Sequence, residues 1–158
     1  MATTQDIRGV LIQVQGGRLL LPNAAIAEVL AFTTPESIGS APDWLLGRIR
    51  WRGWQVPVIA FAQMAGIATE SGQLGNKLVV LKALGGDAKL PYFALLTQGF
   101  PRLVTVARES LTADAGAGGD DDLPEAVRMR VLLREDQALL PDLQRVESLI
   151  GEALQQAA

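Results

Sequence analysis

The sequence predicts a mostly-β protein of barrel architecture that ends in one α-helix. Apolar residues recur at period two in about ten short runs, and glycine or proline separates most of these runs. A helical spacing of apolar residues is sustained only near the C-terminus. With 49% hydrophobic and 20% charged side chains in 158 residues, the chain can bury one core. We therefore expect a single domain over residues 1–158.

Two β-hairpins are predicted in the first half. The first has strands over 10–14 and 18–21, the second over 47–52 and 54–60, and glycine stands at each turn. Pro57 in the last of these strands indicates a sheet edge or a bulge. Before the second hairpin come a helix-tolerant stretch (24–28), a strand (29–32), a loop (33–42) and a helical turn (42–46). After it come a short helix (61–67) and a polar linker (68–75).

The second half begins with a pattern that resembles the first hairpin. Gly85-Gly86 and Pro91 follow the strand over 77–84 as Gly16-Gly17 and Pro22 follow the first strand, at one offset (91 − 22 = 69). As a structural repeat, this spacing predicts two similar small β lobes. The return strand of the second hairpin would then precede Pro91.

The remaining elements are four strands, an acidic loop and a helix. The strands are predicted over 92–97, 102–107, 127–133 and 137–140, and the glycine-rich acidic loop over 112–124. The helix over 142–156 has an apolar face made of Leu143, Val146, Leu149, Ile150, Ala153 and Leu154.

Histidine and cysteine are both absent from the chain. Their absence excludes disulfides, cysteine-based zinc sites and Ser-His-Asp catalysis, and no pair of carboxylates is placed for acid–base work. Asp120-Asp121-Asp122 lacks the alternating spacing of a calcium loop, so we interpret it as part of a solvated loop. We expect a protein without enzymatic activity, metal or cofactor.

Charge and hydropathy also limit the location and the partners. No apolar run reaches the length of a membrane span, and Met1–Asp6 lacks the features of a signal peptide. We therefore expect a cytoplasmic protein that does not insert into a membrane. The formal net charge of −3 disfavours binding of nucleic acid through bulk positive charge.

The segment Arg48–Trp54 interleaves basic and aromatic residues. In an extended strand its alternate arginines share one face, whereas Ile49 and Trp51 share the other. Three interpretations follow: a platform for single-stranded nucleic acid, a solvated charged face over a buried aromatic face, or an arginine that meets a carboxylate. Glu28 is the candidate carboxylate, because it is the one acid inside an apolar stretch.

Four segments between Arg8 and Gly66 follow one another in a characteristic order. They are Leu20-Leu-Pro22, Ile26-Ala-Glu-Val29, Pro42-Asp-Trp-Leu-Leu-Gly47, and Arg52-Gly53 followed by Val56-Pro-Val-Ile59. This order resembles the CheW family, the coupling proteins of bacterial chemosensory arrays. The last hairpin and the amphipathic helix also resemble the family, so the likeness covers nearly the whole chain.

The resemblance implies two five-stranded, SH3-like barrels around a shared core, followed by the C-terminal helix. It also implies a scaffold without catalysis, which joins the cytoplasmic helical tip of a chemoreceptor to the regulatory domain of a histidine kinase. Arg52 and Glu28 stand where the family has a conserved arginine and a conserved acid that lie close together and matter for coupling. Gly53 completes the turn after the arginine.

Docking of a receptor helix would use a groove where the two lobes meet. Ile26, Val29 and Val56 are the candidates to line it, and Arg52 and Glu28 would fix its shape by pairing in a low-dielectric rim. The kinase would dock on a barrel end that presents apolar residues.

The segment Leu95–Leu103 is similar to accessory coupling proteins of type IV pilus chemosensory systems, which implies a role in twitching motility. The chain departs from the family at Ala60, where an acid is usual, and at Trp51 and Gln98-Gly99. These departures leave the identity of the partners open.

Overall fold

The computed structural model describes residues 7–69, 75–85, 90–113 and 123–157. These residues form eleven β-strands and two α-helices. The strands are β1 (Ile7–Val14), β2 (Gly17–Pro22), β3 (Ile26–Ala31), β4 (Leu45–Trp51), β5 (Trp54–Ile59), β6 (Lys77–Lys82), β7 (Tyr92–Thr97), β8 (Arg102–Val106), β9 (Leu111–Ala113), β10 (Val127–Leu133) and β11 (Asp136–Pro141). The helices are α1 (Phe61–Met64) and α2 (Leu143–Ala157).

The strands form two sheets. One has six strands in the order β8-β1-β2-β11-β10-β9, and the other has five in the order β3-β6-β7-β5-β4. Neighbouring strands are antiparallel, apart from the parallel pairs β2 with β11 and β5 with β7. The six-stranded sheet therefore combines the first two strands of the chain with the last four.

The two sheets share one hydrophobic core. Val10, Ile12 and Val14 of β1 face it, as the period-two pattern predicts, and Val79 and Leu95 approach it from β6 and β7. All five side chains are at most 2% exposed. Leu11 of β1, Leu78 and Val80 of β6, and Ala94 and Leu96 of β7 point the other way into further apolar interiors, so these strands are buried on both faces along most of their length.

Each sheet also curls around an apolar interior of its own. Leu78 and Val80 lie inside the five-stranded sheet, and Leu11 and Leu20 lie inside the six-stranded sheet. The structure thus confirms the predicted fold class, two SH3-like barrels around a shared core. One barrel has six strands rather than five, because Leu111–Ala113 adds a short strand beside β10.

The two predicted β lobes are present as the two barrels, but the return strand predicted before Pro91 is wrong. The first hairpin closes directly, with Val14 opposite Gly17. β6 instead pairs with β7, with Leu81 opposite Phe93, so the return strand begins after Pro91 and not before it. Residues 86–89, where the repeat placed that strand, lie outside the described part of the chain.

The turn Gly99–Pro101 connects the two sheets. β7 belongs to the five-stranded sheet and β8 to the six-stranded sheet. The backbone N–H of Gln98 donates to the carbonyl of Gln13 at 2.8 Å, which fixes the crossover to the end of β1. This segment therefore runs over the junction between the two barrels.

Pro57 lies in a strand with neighbours on both sides, so the predicted sheet edge is wrong. Its missing N–H is tolerated because the ladder between β5 and β7 begins only at Val58. The alternative prediction, a bulge, applies to the partner strand, where the register shifts between Leu45 and Gly47. The helical turn expected over 42–46 is a single turn, closed by Leu45 N–H on the carbonyl of Pro42 at 3.0 Å.

α2 packs its apolar face on the shared core. Val146, Ile150 and Ala153 are buried there, as the helical spacing predicts. The backbone N–H of Arg145 donates to the Asp142 carboxylate at 3.1 Å, so Asp142 caps the helix and Pro141 belongs to β11. Of the acidic loop predicted over 112–124, the first two residues lie in β9, and residues 114–122 fall outside the described residues.

Candidate interaction site

The side chain of Arg52 projects from the two-residue turn between β4 and β5. Trp51 pairs with Trp54 across the hairpin, which leaves Arg52 and Gly53 as the loop. Both have a positive φ, 48° at Arg52 and 83° at Gly53, as a type I′ turn requires. Gly53 adopts this conformation freely, whereas the left-handed region costs arginine about 1 kcal/mol.

Glu28 connects Arg52 and Trp51. Its Oε1 accepts a hydrogen bond from Arg52 Nη2 at 2.9 Å and another from Trp51 Nε1 at 3.2 Å. The guanidinium carbon of Arg52 lies 4.7 Å from the centroid of the Trp51 ring. β3 and β4 are the two outer strands of the five-stranded sheet. These contacts therefore join the sheet edges and close the barrel at this end. Of the three interpretations of Arg48–Trp54, the one in which an arginine meets Glu28 applies to Arg52.

The ion pair between Arg52 and Glu28 lies at the surface. The side chains are 67% and 37% exposed, so the low-dielectric rim expected from the sequence is not what the structure shows. Exposed ion pairs contribute about 0.2–1 kcal/mol to stability. The pair therefore matters more for the orientation of two side chains than for the stability of the fold.

Aromatic rings surround this ion pair at the mouth of the five-stranded barrel. Trp51 is 7% exposed and meets Tyr92 edge-on, with 4.8 Å between ring centroids. Tyr92 lies 6.3 Å from the ring of Trp54, which is 43% exposed. Such ring pairs add about 0.5–1.5 kcal/mol beyond the area that they bury. We call Glu28, Trp51, Arg52, Trp54 and Tyr92 the aromatic rim.

The other predicted site residues have different surroundings. Ile26 and Val29 are half-buried and pack against the shared core, at its margin. Val56 is 1% exposed inside the five-stranded barrel, so it supports the surface from below and cannot line a groove. A Cβ at Gly53 would meet nothing within 4 Å, so this residue contributes its backbone conformation.

The arginines and aromatic residues that a nucleic acid would have to contact do not form one surface. Arg48 pairs with Pro57 and Arg50 with Gln55, in alternation with the pair Trp51 and Trp54. Paired residues of adjacent strands point to the same face, so these two arginines and the tryptophans lie on opposite faces. Arg48 and Arg50 are thus separated from the rings, and Arg52, which lies over Trp51, is paired with Glu28. The arrangement therefore does not support the nucleic-acid interpretation.

Two large apolar side chains at the barrel junction were not predicted as site residues. Phe100 is 74% exposed and Leu103 is 69% exposed, on and beside the crossover between the sheets. The ammonium of Lys77 lies 4.6 Å from the centroid of the Phe100 ring. We call Phe100 and Leu103 the seam surface. An apolar residue between glycine and proline in a turn was the signal that could have indicated it.

An apolar cavity opens at the mouth of the six-stranded barrel. Its volume is about 140 Å³, and its lining is almost entirely carbon. Ile7, at the start of β1, is 59% exposed beside it. We call this site the aliphatic cavity; its lining includes Ile7, Leu20, Pro22, Val106, Leu111 and Leu140.

Within the described residues, no helix has the length and apolarity needed to cross a membrane. The same part of the chain brings no three acidic side chains together as a possible metal site. Paired small barrels with exposed apolar and aromatic features at their mouths and junction define a class of β-barrel interaction proteins.

The chain belongs to the CheW family, because its residues 8–149 match the CheW-like domain. Its fold is similar to the crystal structure of the scaffolding protein TtCheW from Thermoanaerobacter tengcongensis, with a TM-score of 0.70 and 15% sequence identity over 87% of this chain and 89% of that chain. No curated protein matches the sequence significantly. Membership of this family supports the role of a chemotaxis scaffold.

Proposed function

We propose that this chain is a cytoplasmic adaptor that couples the helical tip of a chemoreceptor to the regulatory domain of a chemotaxis histidine kinase. The observation that carries the proposal is the seam surface, since Phe100 and Leu103 are 74% and 69% exposed. Side chains of this size are usually buried, and grouped exposed ones mark a place where a partner binds. Membership of the CheW family supports the same role.

The receptor tip would follow the outer strand β3, which connects the seam surface with the aromatic rim. Ala31 at the end of β3 pairs with Lys77, whose ammonium lies over Phe100. Glu28 precedes Ala31 by three residues, about 10 Å along a strand. A helix laid along this strand would reach the apolar seam surface at one end and the charged rim at the other.

The kinase domain would dock at the aliphatic cavity on the other barrel. This cavity of about 140 Å³ is too small for an independent ligand of ordinary size. It can receive one or two aliphatic side chains from a partner barrel, and the exposed side chain of Ile7 extends the apolar contact. Two partners would thus use two barrels, which an adaptor requires.

The segment Leu95–Leu103 supports assignment of the adaptor to a type IV pilus chemosensory system. It contains both members of the seam surface, Phe100 and Leu103. A receptor tip from a pilus system should therefore bind more tightly than a tip from a flagellar system, in a direct titration of both against the full chain.

The test is a pair of titrations of the full chain, one with a receptor tip fragment and one with a kinase regulatory domain. Phe100→Asp places a charge on the seam surface and should weaken receptor binding at least about tenfold, with little effect on the kinase. Ile7→Asp should have the opposite selectivity. Leu84→Asp is the matched control, since Leu84 is 76% exposed on the connection after β6 and belongs to neither surface.

Wild-type binding to neither partner would overturn the proposed function. Equal loss in all three variants would show that charge on the surface, and not the two assigned sites, determines binding. Circular dichroism spectra of the variants should match the wild type, because all three positions are exposed.

A further inference from the structure

Arginine is unfavourable for the backbone conformation at position 52. Both residues of the two-residue turn have a positive φ, a conformation in which asparagine and glycine are favoured. A Cβ-bearing residue held in the left-handed region is found where the surrounding structure has a use for it. The side chain of Arg52, and not its backbone, must therefore explain its presence.

The guanidinium of Arg52 is held on two sides and open on a third. Its Nη2 donates to Glu28 at 2.9 Å, and its plane lies over the Trp51 ring at 4.7 Å from the centroid. In the part of the chain that the structure describes, it makes no other hydrogen bond. The side chain is 67% exposed, so its remaining N–H groups face solvent.

Trp51 holds both members of the ion pair. Its indole N–H donates to the same Oε1 of Glu28 at 3.2 Å, while its ring face supports Arg52. Trp51 is itself 7% exposed and fixed by the edge-on contact with Tyr92. A buried, packed ring thus restrains a cation that would otherwise move freely on the surface.

From these contacts we propose that Trp51 is a positioning residue that presents the free edge of Arg52 to a carboxylate side chain of the receptor tip. The proposal rests on the proposed function, because it specifies the chemistry of the partner at the aromatic rim. A planar guanidinium binds a carboxylate through two parallel hydrogen bonds, and restraint before binding lowers the entropy lost on docking. A doubly charged phosphate fits less well, since the Glu28 carboxylate lies 2.9 Å from the same guanidinium.

The test is a double-mutant cycle with the receptor tip fragment as the titrant, at low and moderate ionic strength. Arg52→Lys keeps the charge but loses the planar fork, and should weaken binding about tenfold. Trp51→Phe keeps a ring but loses the N–H, and should weaken it several-fold. Because Trp51 acts only through the guanidinium that Arg52→Lys removes, the double variant should be no weaker than Arg52→Lys alone.

Two further variants separate this role from a structural one. Arg52→Asn suits the turn, so it should fold at least as stably as the wild type while it loses the same affinity as Arg52→Lys. Arg50→Lys is the control, because Arg50 is exposed on the opposite face and should bind as the wild type does. Side-chain NMR of Arg52 should show hindered rotation of the guanidinium in the wild type and free rotation in Trp51→Phe.

Full additivity of the two single variants, or wild-type affinity in Arg52→Lys, would overturn the carboxylate contact while receptor and kinase binding of the wild type still supports the adaptor. Identical Arg52 signals in wild type and Trp51→Phe would overturn the positioning role whatever the chain binds. A wild-type chain that binds neither partner would overturn the proposed function and the partner contact together.

Discussion

The mouth of the five-stranded barrel is closed by aromatic and charged side chains, whereas the mouth of the six-stranded barrel is an open, aliphatic cavity. The first is tied together by Glu28, which accepts hydrogen bonds from strand and turn. The second has a volume of about 140 Å³ and an exposed Ile7 at its margin. Two barrels of one architecture thus offer different chemistry, and the difference lies in a few residues at strand ends.

The largest expected effect is a loss of stability caused by a substitution in the five-stranded barrel. Gly47 in β4 has a φ of 146°, and a Cβ there would lie 2.3 Å from the carbonyl oxygen of Glu36. Glu36 forms two backbone hydrogen bonds with Arg48, both of 2.8 Å. Gly47→Ala should therefore lower the free energy of unfolding by about 3 kcal/mol or more, measured by denaturant titration.

Gly53→Ala is the control for that prediction. Gly53 has a φ of 83° but open space around its Cβ position, so only backbone strain is added. The loss should be about 1 kcal/mol. Equal losses at the two positions would contradict the steric explanation for Gly47.

A smaller effect is expected where α2 holds the five-stranded sheet. The Glu147 carboxylate accepts hydrogen bonds from the backbone N–H of Leu84 at 3.0 Å and of Gly85 at 2.8 Å. Glu147→Ala should destabilise the chain by about 1–2 kcal/mol, seen as a lower Tm. Glu152→Ala, on the same helix and without a hydrogen bond to the described residues of this loop, should leave the Tm close to that of the wild type.

The smallest effect is expected at the aromatic rim. Glu28→Gln keeps an acceptor for Trp51 but removes the charge that pairs with Arg52. Because the pair is 67% and 37% exposed, the loss of stability should stay below about 1 kcal/mol and shrink further in high salt. A loss several times larger in a denaturant titration would show that the rim is as stabilising as the packed interior.

Local features of the fold could be predicted from the sequence, and long-range ones could not. The hairpin turn at Gly16-Gly17 and the apolar face of α2 depend on neighbouring residues, so pattern alone predicted them. The parallel contact between Leu19 and Leu139 joins distant parts of the chain and leaves no local signal. The return strand before Pro91 was misplaced in the same way, because a turn pattern does not specify which strand returns.

In the candidate site, too, some residues could be identified from the sequence and others only from the assembled fold. The resemblance to a family led to Arg52 and Glu28, which the structure brings into contact. Val56 was misplaced because β5 is buried on both faces, and alternation alone does not distinguish a barrel interior from a groove. Phe100 was missed because its exposure depends on the crossover between two sheets, which only the assembled fold defines.

The way in which the six-stranded sheet is assembled has a consequence for synthesis. β2 is synthesised well before its neighbour β11, because the paired residues Leu19 and Leu139 are 120 positions apart (139 − 19 = 120). Until then the leading hairpin exposes an apolar surface on both sides, and closure of so long a loop slows folding. A nascent chain of this protein should therefore depend on chaperone binding until β11 has been synthesised.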